Sequence, residues 1–276
     1  MSVKDAILST QPTSYWPLDD ATGPCHDELG LHSAVMPTQG GVTLAVIPFG
    51  PGPAQAPYFD GELGSVLTIG DDPRYSQPYR NALTVAAWVC PLTLNNTHTA
   101  GSKDQFVHYI EKAVGASTDT EWALRLYNEI NPTRHSRLSF YTFNLSPPTG
   151  EDEGNGSYME YGVSSNDQTP VEVGKWVFVV GEAEPWFPRN NTTGCILWKQ
   201  DVQAQRVDAD KYFTYGVHPQ QGPGPITVGG MQTTGFKGSL AHIAIWNRLL
   251  SAAEIASIWT AGASDLSNTP MYHSYT

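Results

Sequence analysis

Basic residues are scarce in this sequence, which has 15 Lys and Arg against 27 Asp and Glu and a formal net charge of −12. A protein that binds nucleic acid or an anionic membrane surface through charge needs a basic patch. The composition therefore argues against these two partners. It leaves neutral glycans, cations and other proteins as candidates.

Long apolar runs are also missing. No stretch approaches the ~20 apolar residues that a membrane-spanning helix needs. The first residues, "MSVKDAILSTQPTSYW", lack the basic start and apolar core of a secretion signal. The sequence therefore predicts a soluble protein without membrane insertion, and no signal peptide is visible in this chain.

Cysteine is rare, with only Cys25, Cys90 and Cys195, and an odd number cannot all pair within one chain. None belongs to a Cys-x-x-Cys pair, which argues against a zinc ribbon or a thioredoxin-like motif. Cys90 and Cys195 fall in apolar strand-like runs, where a free buried thiol is favoured. The sequence leaves open whether two of the three cysteines form a disulfide.

Short runs rich in β-branched and aromatic residues make up much of the sequence. Turn-forming residues separate them, since the chain has 26 Gly and 21 Pro. Hardly any helical pattern lies between these runs, which favours an antiparallel sandwich or barrel over βαβ units. The predicted strands are 65–69, 83–90, 105–111, 122–127, 137–143, 175–181, 194–199, 225–229 and 240–246.

The strand predicted over 122–127 alternates clearly. Trp122, Leu124 and Leu126 form an apolar face, and the opposite face carries Arg125 and Tyr127. A sheet with one face in the core and the other in water produces this pattern.

The end of the chain predicts a helix. Ser251 and Glu254 have the spacing of a capping box, and Ile255, Ile258 and Trp259 form one apolar face. A helix this short is unstable alone, so we expect it to dock on the sheets. Three connections are long enough to suggest function or disorder: 21–57, 144–170 and 182–193.

Six motifs in order carry a family resemblance. They are "SYWPLDD" (14–20), "YFDGELGSVLTIGDD" (58–72), "ALTVAAWVCPL" (82–92), "GKWVFVVGEAE" (174–184), "PITVGGM" (225–231) and "FKGSLAHIAIWNRLLSAAEIASIW" (236–259). This series resembles the laminin-G-like, concanavalin-A-like lectin/glucanase superfamily, in its bacterial-type branch. The resemblance implies an all-β jelly roll of two antiparallel sheets, one with a concave face, plus one short C-terminal helix. We expect a single domain over 1–276 with its core at 14–259.

Relatives in this superfamily often hold a structural calcium ion, partly through an Asp on the final long strand. The matching position here is Ala241, so a charged oxygen ligand is lost and calcium is disfavoured. Asp19 and Asp20 are the remaining weak metal candidates, and we favour a polar turn after a strand as the explanation for them.

The resemblance also covers enzymes. The glucanase branch uses a Glu/Asp/Glu strand that places two carboxylates at the spacing for retaining hydrolysis, and no such triplet occurs here. His108 and Tyr109, in "QFVHYIEK", are candidate catalytic groups, but a strand histidine held by a neighbouring residue is more common. We therefore expect no catalytic residues.

Sugar rings bind to flat apolar surfaces beside hydrogen-bonding groups. Trp186 and Phe187, between two prolines, are the most suggestive pair, and Arg189 and Asn190 follow them. The alternative is that this pair packs on the sandwich or contacts a protein. The other candidates, which carry the same ambiguity, are Tyr75, Tyr79, Arg125 and Tyr127.

The sequence thus predicts a non-catalytic recognition or adhesion module that binds carbohydrate through loop aromatics and the concave sheet. One alternative is a structural or decoration subunit of a surface or virus-like assembly, and a second is a polysaccharide lyase or hydrolase. We expect an extracellular, cell-surface or virion-associated location. The partner is then a glycan or a protein surface, and oligomerisation stays open.

Overall fold

The computed structural model describes residues 1–49, 55–77, 81–95, 106–114, 119–128, 131, 134–143, 145, 154–158, 170–184, 195–203, 221–231 and 234–267. These described residues contain two α-helices, α1 Val3–Ser9 and α2 Ala252–Ser267, and a short 3-10 helix at Pro73–Tyr75. The strands are β1 Ser14–Trp16, β2 Ala34–Val35, β3 Val42–Pro48, β4 Gln55–Asp60, β5 Leu67–Ile69, β6 Leu83–Pro91, β7 Phe106–Val114, β8 Asp119–Tyr127, β9 Leu138–Phe143, β10 Gly154–Tyr158, β11 Val177–Ala183, β12 Cys195–Lys199, β13 Val202–Gln203, β14 Ile226–Val228, β15 Gly230–Met231, β16 Thr234–Gly235 and β17 Lys237–Trp246.

The strands form two main antiparallel sheets, as expected for a jelly-roll sandwich. The eight-stranded sheet has the order β13-β12-β11-β6-β17-β4-β3, with β1 also paired to β17. The seven-stranded sheet has the order β10-β9-β8-β7-β14-β5-β2, and β15 pairs with β16 separately. The predicted all-β class and the predicted strands are confirmed.

The inner faces of the two sheets meet in the main core. Trp122 and Leu124 of β8 pack there with Val85 and Val89 of β6. The alternation predicted for β8 is therefore correct, because these residues point inward and their neighbours point outward. All three cysteines are free and buried, so the predicted buried thiols at Cys90 and Cys195 are confirmed.

A second apolar cluster covers the outer face of the eight-stranded sheet. Trp88, Phe178 and Trp246 from the sheet pack with residues of both helices, including Ile7 and Ile258. Amphipathic helices need such a surface to be stable. The docking expected for the C-terminal helix is thus confirmed.

The capping box predicted for α2 is present. Glu254 N donates to Ser251 Oγ at 3.3 Å, and Ser251 N donates to the Glu254 carboxylate at 2.8 Å. The helix is longer than expected because Ala261 and Gly262 continue its buried face. A second capping box, from Ser2 to Asp5, begins α1, which the sequence analysis missed.

The connection predicted over 21–57 is not a plain loop. It contains β2 and β3 and the beginning of β4. The sequence indicates one possible strand within its Gly/Pro-rich run, and the connection in the structure contains residues of three strands. Of these, β3 lies at the edge of its sheet and is interrupted by a register shift between Thr43 and Ile47. Edge strands tolerate glycine and proline better than central strands do. None of the helices in the described part of the chain is long and apolar enough to cross a membrane.

Candidate functional site

The outer face of the seven-stranded sheet carries a cluster of aromatic rings around one guanidinium group. The register places Arg125 of β8 beside His108 of β7 and Ser139 of β9, so these side chains share one face. Both α-helices pack on the other sheet. This outer face therefore differs from the helix-covered one in being built of polar and aromatic side chains.

Three rings surround the Arg125 guanidinium. Its carbon lies 3.8 Å from the ring centre of Phe106, 4.3 Å from that of Tyr141 and 5.4 Å from that of Phe143. The three rings are partly exposed, whereas Arg125 is only 6% exposed. We refer to Phe106, Arg125, Tyr127, Tyr141 and Phe143 as the Arg125 cluster.

Among the described residues, the polar partners of the Arg125 guanidinium are hydroxyl groups. Its Nε donates to Ser139 Oγ at 3.2 Å, and among the described residues it forms no ion pair with a carboxylate. Burial lowers the pKa of Arg125. An arginine nevertheless stays protonated at neutral pH, so the cluster carries a positive charge.

Hydroxyl groups extend the cluster toward Arg134. The Tyr127 and Tyr141 hydroxyl oxygens lie 3.3 Å apart, and Arg134 Nη1 donates to Tyr127 at 3.1 Å. Burial raises the pKa of Tyr141, so this phenol stays neutral and can donate or accept a hydrogen bond.

His108 and Glu111 lie on the same outer face of β7. Among the described residues, His108 Nδ1 and Glu111 Oε2 are buried without hydrogen-bond partners. Burial lowers the pKa of His108 to about 3 and raises that of Glu111 to about 8, although Arg125 and Thr227 lower the latter. Both are therefore neutral near pH 7. Buried polar atoms without partners and perturbed pKa values are typical of functional sites.

Two of the predicted binding residues belong to this cluster. Arg125 and Tyr127 lie on the outer face as the alternation of β8 predicted, but they are buried at 6% and 2% exposure. Direct contact with a ligand would therefore fall mainly to the rings at the rim.

Tyr75 lies elsewhere, in the main core. It is fully buried, its hydroxyl lies 2.9 Å from Ser14 Oγ, and its ring packs edge-on against Trp16. Its ring offers no exposed face on which a sugar could stack. Tyr79, Trp186, Phe187, Arg189 and Asn190 lie outside the described residues and stay predictions.

The weak metal candidates lie at the surface after β1. Asp19, Asp20 and His26 each offer a ligand atom, and these atoms lie within 4.8 Å of one another. His26 already contacts Asp20 at 2.7 Å through Nδ1 and Glu28 at 2.8 Å through Nε2, so a metal would have to replace these bonds. Ala241 is 2% exposed and belongs to the apolar cluster under the helices.

Sequence reasoning missed Phe106, Glu111, Tyr141 and Phe143 as members of one site. The alternation of residues along 137–143 puts Tyr141 and Phe143 on one face of their strand. Only the pairing of β9 and β7 on either side of β8 brings them beside Arg125. Strand order is a long-range property that a local pattern does not report.

Comparison with known structures supports the fold. The botulinum neurotoxin serotype G binding domain matches with a TM-score of 0.60 and 12% identity, over 92% of this chain and 52% of that one. The serotype D ligand binding domain in complex with N-acetylneuraminic acid matches with a TM-score of 0.60 and 14% identity, over the same shares. A Trypanosoma rangeli sialidase matches with a TM-score of 0.52 and 12% identity, over 91% and 33%.

The chain thus spans about half the length of these binding domains and a third of the sialidase. No relative is found among curated protein sequences. A family model of the concanavalin A-like lectin/glucanases superfamily matches residues 60–256, which include the strands from β5 to β17 and the beginning of α2. The chain therefore belongs to the concanavalin A-like lectin/glucanases superfamily.

Proposed function

We propose that this protein is a non-catalytic recognition module that binds carbohydrate at the outer face of its seven-stranded sheet. The observation that carries the proposal is the Arg125 cluster, in which three partly exposed rings surround a guanidinium. Rings of this kind stack on the apolar faces of sugars, and neighbouring polar groups fix their hydroxyls. Membership of a lectin and glucanase superfamily agrees with this use of the fold.

Charge at the cluster favours certain sugars. No carboxylate of the described residues forms an ion pair with the Arg125 guanidinium, so its positive charge is available to a ligand. An acidic sugar or one rich in acceptor oxygens would satisfy it. Trp186, Phe187, Arg189 and Asn190 would add a loop contact, and display at a cell or virion surface would suit such a module.

Binding measurements test the proposal. A broad glycan array identifies a ligand, and calorimetry then compares wild type with single variants that keep the wild-type melting temperature. We expect Tyr141→Ala and Phe143→Ala to weaken binding by about 1 kcal/mol each, roughly five-fold, through lost stacking. Arg125→Met should also weaken binding by about 1 kcal/mol, because the buried guanidinium no longer holds the Phe106 and Tyr141 rings in place through its cation–π contacts.

Tyr58→Ala is the matched control, since this partly exposed ring lies on β4 of the other sheet. It should bind like wild type. Trp186→Ala tests the loop contribution separately. The proposal fails if the array shows no ligand, or if binding survives every one of the Arg125-cluster variants unchanged.

A polysaccharide-cleaving enzyme is the second candidate. The buried Nδ1 of His108 and Oε2 of Glu111, which lack hydrogen-bond partners among the described residues, favour it. Burial raises the pKa of Glu111 to about 8, and a carboxylic acid of this kind can donate a proton next to a group that binds an anion. An assay for new reducing ends or unsaturated products on a polysaccharide panel decides between the two. Cleavage that Glu111→Gln abolishes would replace the binding proposal with this one.

A further inference from the structure

Lys112 lies on β7, toward the end of the strand that is away from His108. Oxygen atoms surround its side-chain nitrogen. Its side chain is fully buried. Its Nζ lies 2.7 Å from Asp71 Oδ1, 2.5 Å from Glu121 Oε1, 2.9 Å from the Gly222 carbonyl oxygen and 2.8 Å from that of Gly224. Four oxygens from three segments of the chain therefore converge on one charged nitrogen.

More oxygen atoms surround Nζ than an ammonium group has hydrogens to donate. A lysine has three hydrogens to donate, and four oxygens already face it. Among the described residues, the second carboxylate oxygen of Glu121 is buried without a hydrogen-bond partner. Two carboxylates also face a single positive charge, which leaves a formal charge of −1. An excess of oxygen ligands and of negative charge is typical of a site for a hard divalent cation.

The two glycines fit the same interpretation. A Cβ on Gly222 would lie 3.0 Å from Glu121 Oε1, and one on Gly224 would lie 2.2 Å from the Ala113 carbonyl oxygen. The segment 222–224 can present its carbonyls to Nζ only because it approaches β7 and β8 this closely. Backbone carbonyls and carboxylates together are the ligand set that Ca²⁺ prefers.

We propose that Asp71, Glu121 and the carbonyls of Gly222 and Gly224 form a cation site in which the Lys112 ammonium replaces a metal ion. We further propose that this site binds Ca²⁺ once the ammonium is removed. The oxygens need to move inward by only a few tenths of an ångström to reach the ~2.3–2.6 Å of calcium ligands. The ~2.0–2.1 Å octahedron of Mg²⁺ requires a much larger contraction.

Solvent can reach the site on the side where Asp71 lies. Its side chain is 31% exposed, whereas that of Glu121 is 2% exposed, so one side of the site faces solvent. Water entering there, together with the space left by a shortened side chain, would supply the remaining ligands. The site lies on the seven-stranded sheet, and it is separate from the surface group of Asp19, Asp20 and His26.

The test compares Lys112→Ala with wild type in thermal unfolding under EDTA, Mg²⁺ and Ca²⁺. We expect the wild-type midpoint to be the same in all three conditions, because the cation at its site is the ammonium group of Lys112 itself. The variant should unfold at a lower temperature in EDTA and recover as Ca²⁺ rises. At about 100 times Kd, its ratio of folded to unfolded molecules should rise about 100-fold. Mg²⁺ should act only weakly.

Three controls separate this site from other effects of calcium. Lys112→Met fills the space with an apolar chain and should not respond to Ca²⁺. The double variant K112A/E121Q loses a ligand charge and should respond far less than K112A. Lys175→Ala removes an exposed lysine that pairs with Glu172 and should behave like wild type.

Each remaining outcome counts against the proposal. A folded K112A that is indifferent to Ca²⁺ overturns it, as does an equal response of K112A and K112A/E121Q. A K112A chain that stays unfolded in both EDTA and Ca²⁺ also contradicts it, because the ion should restore the missing charge.

Discussion

Gly224 shows how a single hydrogen in place of a side chain lets two segments meet. A Cβ at this position would lie 2.2 Å from the Ala113 carbonyl oxygen, and backbone atoms cannot move aside as a flexible side chain can. We expect Gly224→Ala to lower the free energy of unfolding by about 2 kcal/mol or more, through overpacking. Urea denaturation measures this change.

Gly70→Ala is the control for that measurement. Its nearest neighbour would be the side chain of His32, at 3.3 Å, which is partly exposed and can turn away. A loss for Gly224→Ala no larger than for Gly70→Ala would contradict the close approach of the two segments.

Glu254 links pH to stability at the beginning of α2. Hydrogen bonds from Arg248 lower the pKa of Glu254 to about 2. Burial opposes this shift, and hydrogen bonds from Ser251 add to it. A depressed carboxyl pKa contributes stability that is complete above the ordinary value near 4.5 and is lost as pH falls toward 2. We expect Glu254→Gln to cost about 1 kcal/mol at pH 7, through the lost cap and ion pair.

The pH dependence of that difference is the specific test. The gap in free energy of unfolding between wild type and Glu254→Gln should shrink steadily from pH 4.5 to pH 2. Glu172→Gln, which removes an exposed pair with Lys175, should show little difference at any pH. A constant gap for Glu254→Gln would exclude the ionised carboxylate as its cause.

At the scale of the element, α2 packs so closely on its sheet that a helix-favouring substitution should be harmful. Alanine normally stabilises a helix by about 1 kcal/mol relative to glycine. At Gly262, however, a Cβ would lie 2.2 Å from Trp88 Cζ2, and Trp88 is fully buried between Phe178 and Trp259. Overpacking of about 1–3 kcal/mol should outweigh the propensity gain.

Alanine substitutions at two positions of α2 should therefore shift the thermal midpoint in different directions. Gly262→Ala should lower the thermal midpoint, whereas Ser257→Ala on the exposed face of the same helix should leave it equal or slightly higher. A gain in stability for Gly262→Ala would show that α2 sits farther from Trp88 than described.

At the scale of the whole molecule, β6 joins the two apolar clusters. All nine of its residues are buried, with Val85 and Val89 in the main core and Ala86 and Trp88 in the cluster under the helices. Neither cluster can lose its packing without disturbing this strand. We expect residues 1–276 to unfold as one domain in a single cooperative transition.

Unfolding in urea followed by far-UV and near-UV circular dichroism checks that expectation. The two curves should coincide, since secondary structure and aromatic packing would be lost together. Separate midpoints would show that the helices and their cluster unfold independently of the sandwich, and the single-domain prediction would then be wrong.

The sequence by itself determined the fold class and most of its local detail. The alternation in 122–127 identified which side of β8 faces the core, and the Ser251–Glu254 spacing identified the beginning of α2. These features depend on neighbours within a few residues, so they can be read from the order of residues alone. The helix α1 carried the same kind of signal in Ser2 and Asp5.

Only the tertiary structure decided which side chains share a site. Arg125 meets Phe106 and Tyr141 because β7 and β9 flank β8, and Lys112 meets Gly222 from more than a hundred residues away. The physical reason is that strand order follows from the packing of the entire sandwich, whereas alternation follows from the pleat of one strand. The face of a strand on which a residue lies can thus be predicted from neighbouring residues. Its contacts on adjacent strands cannot, because they depend on strand order.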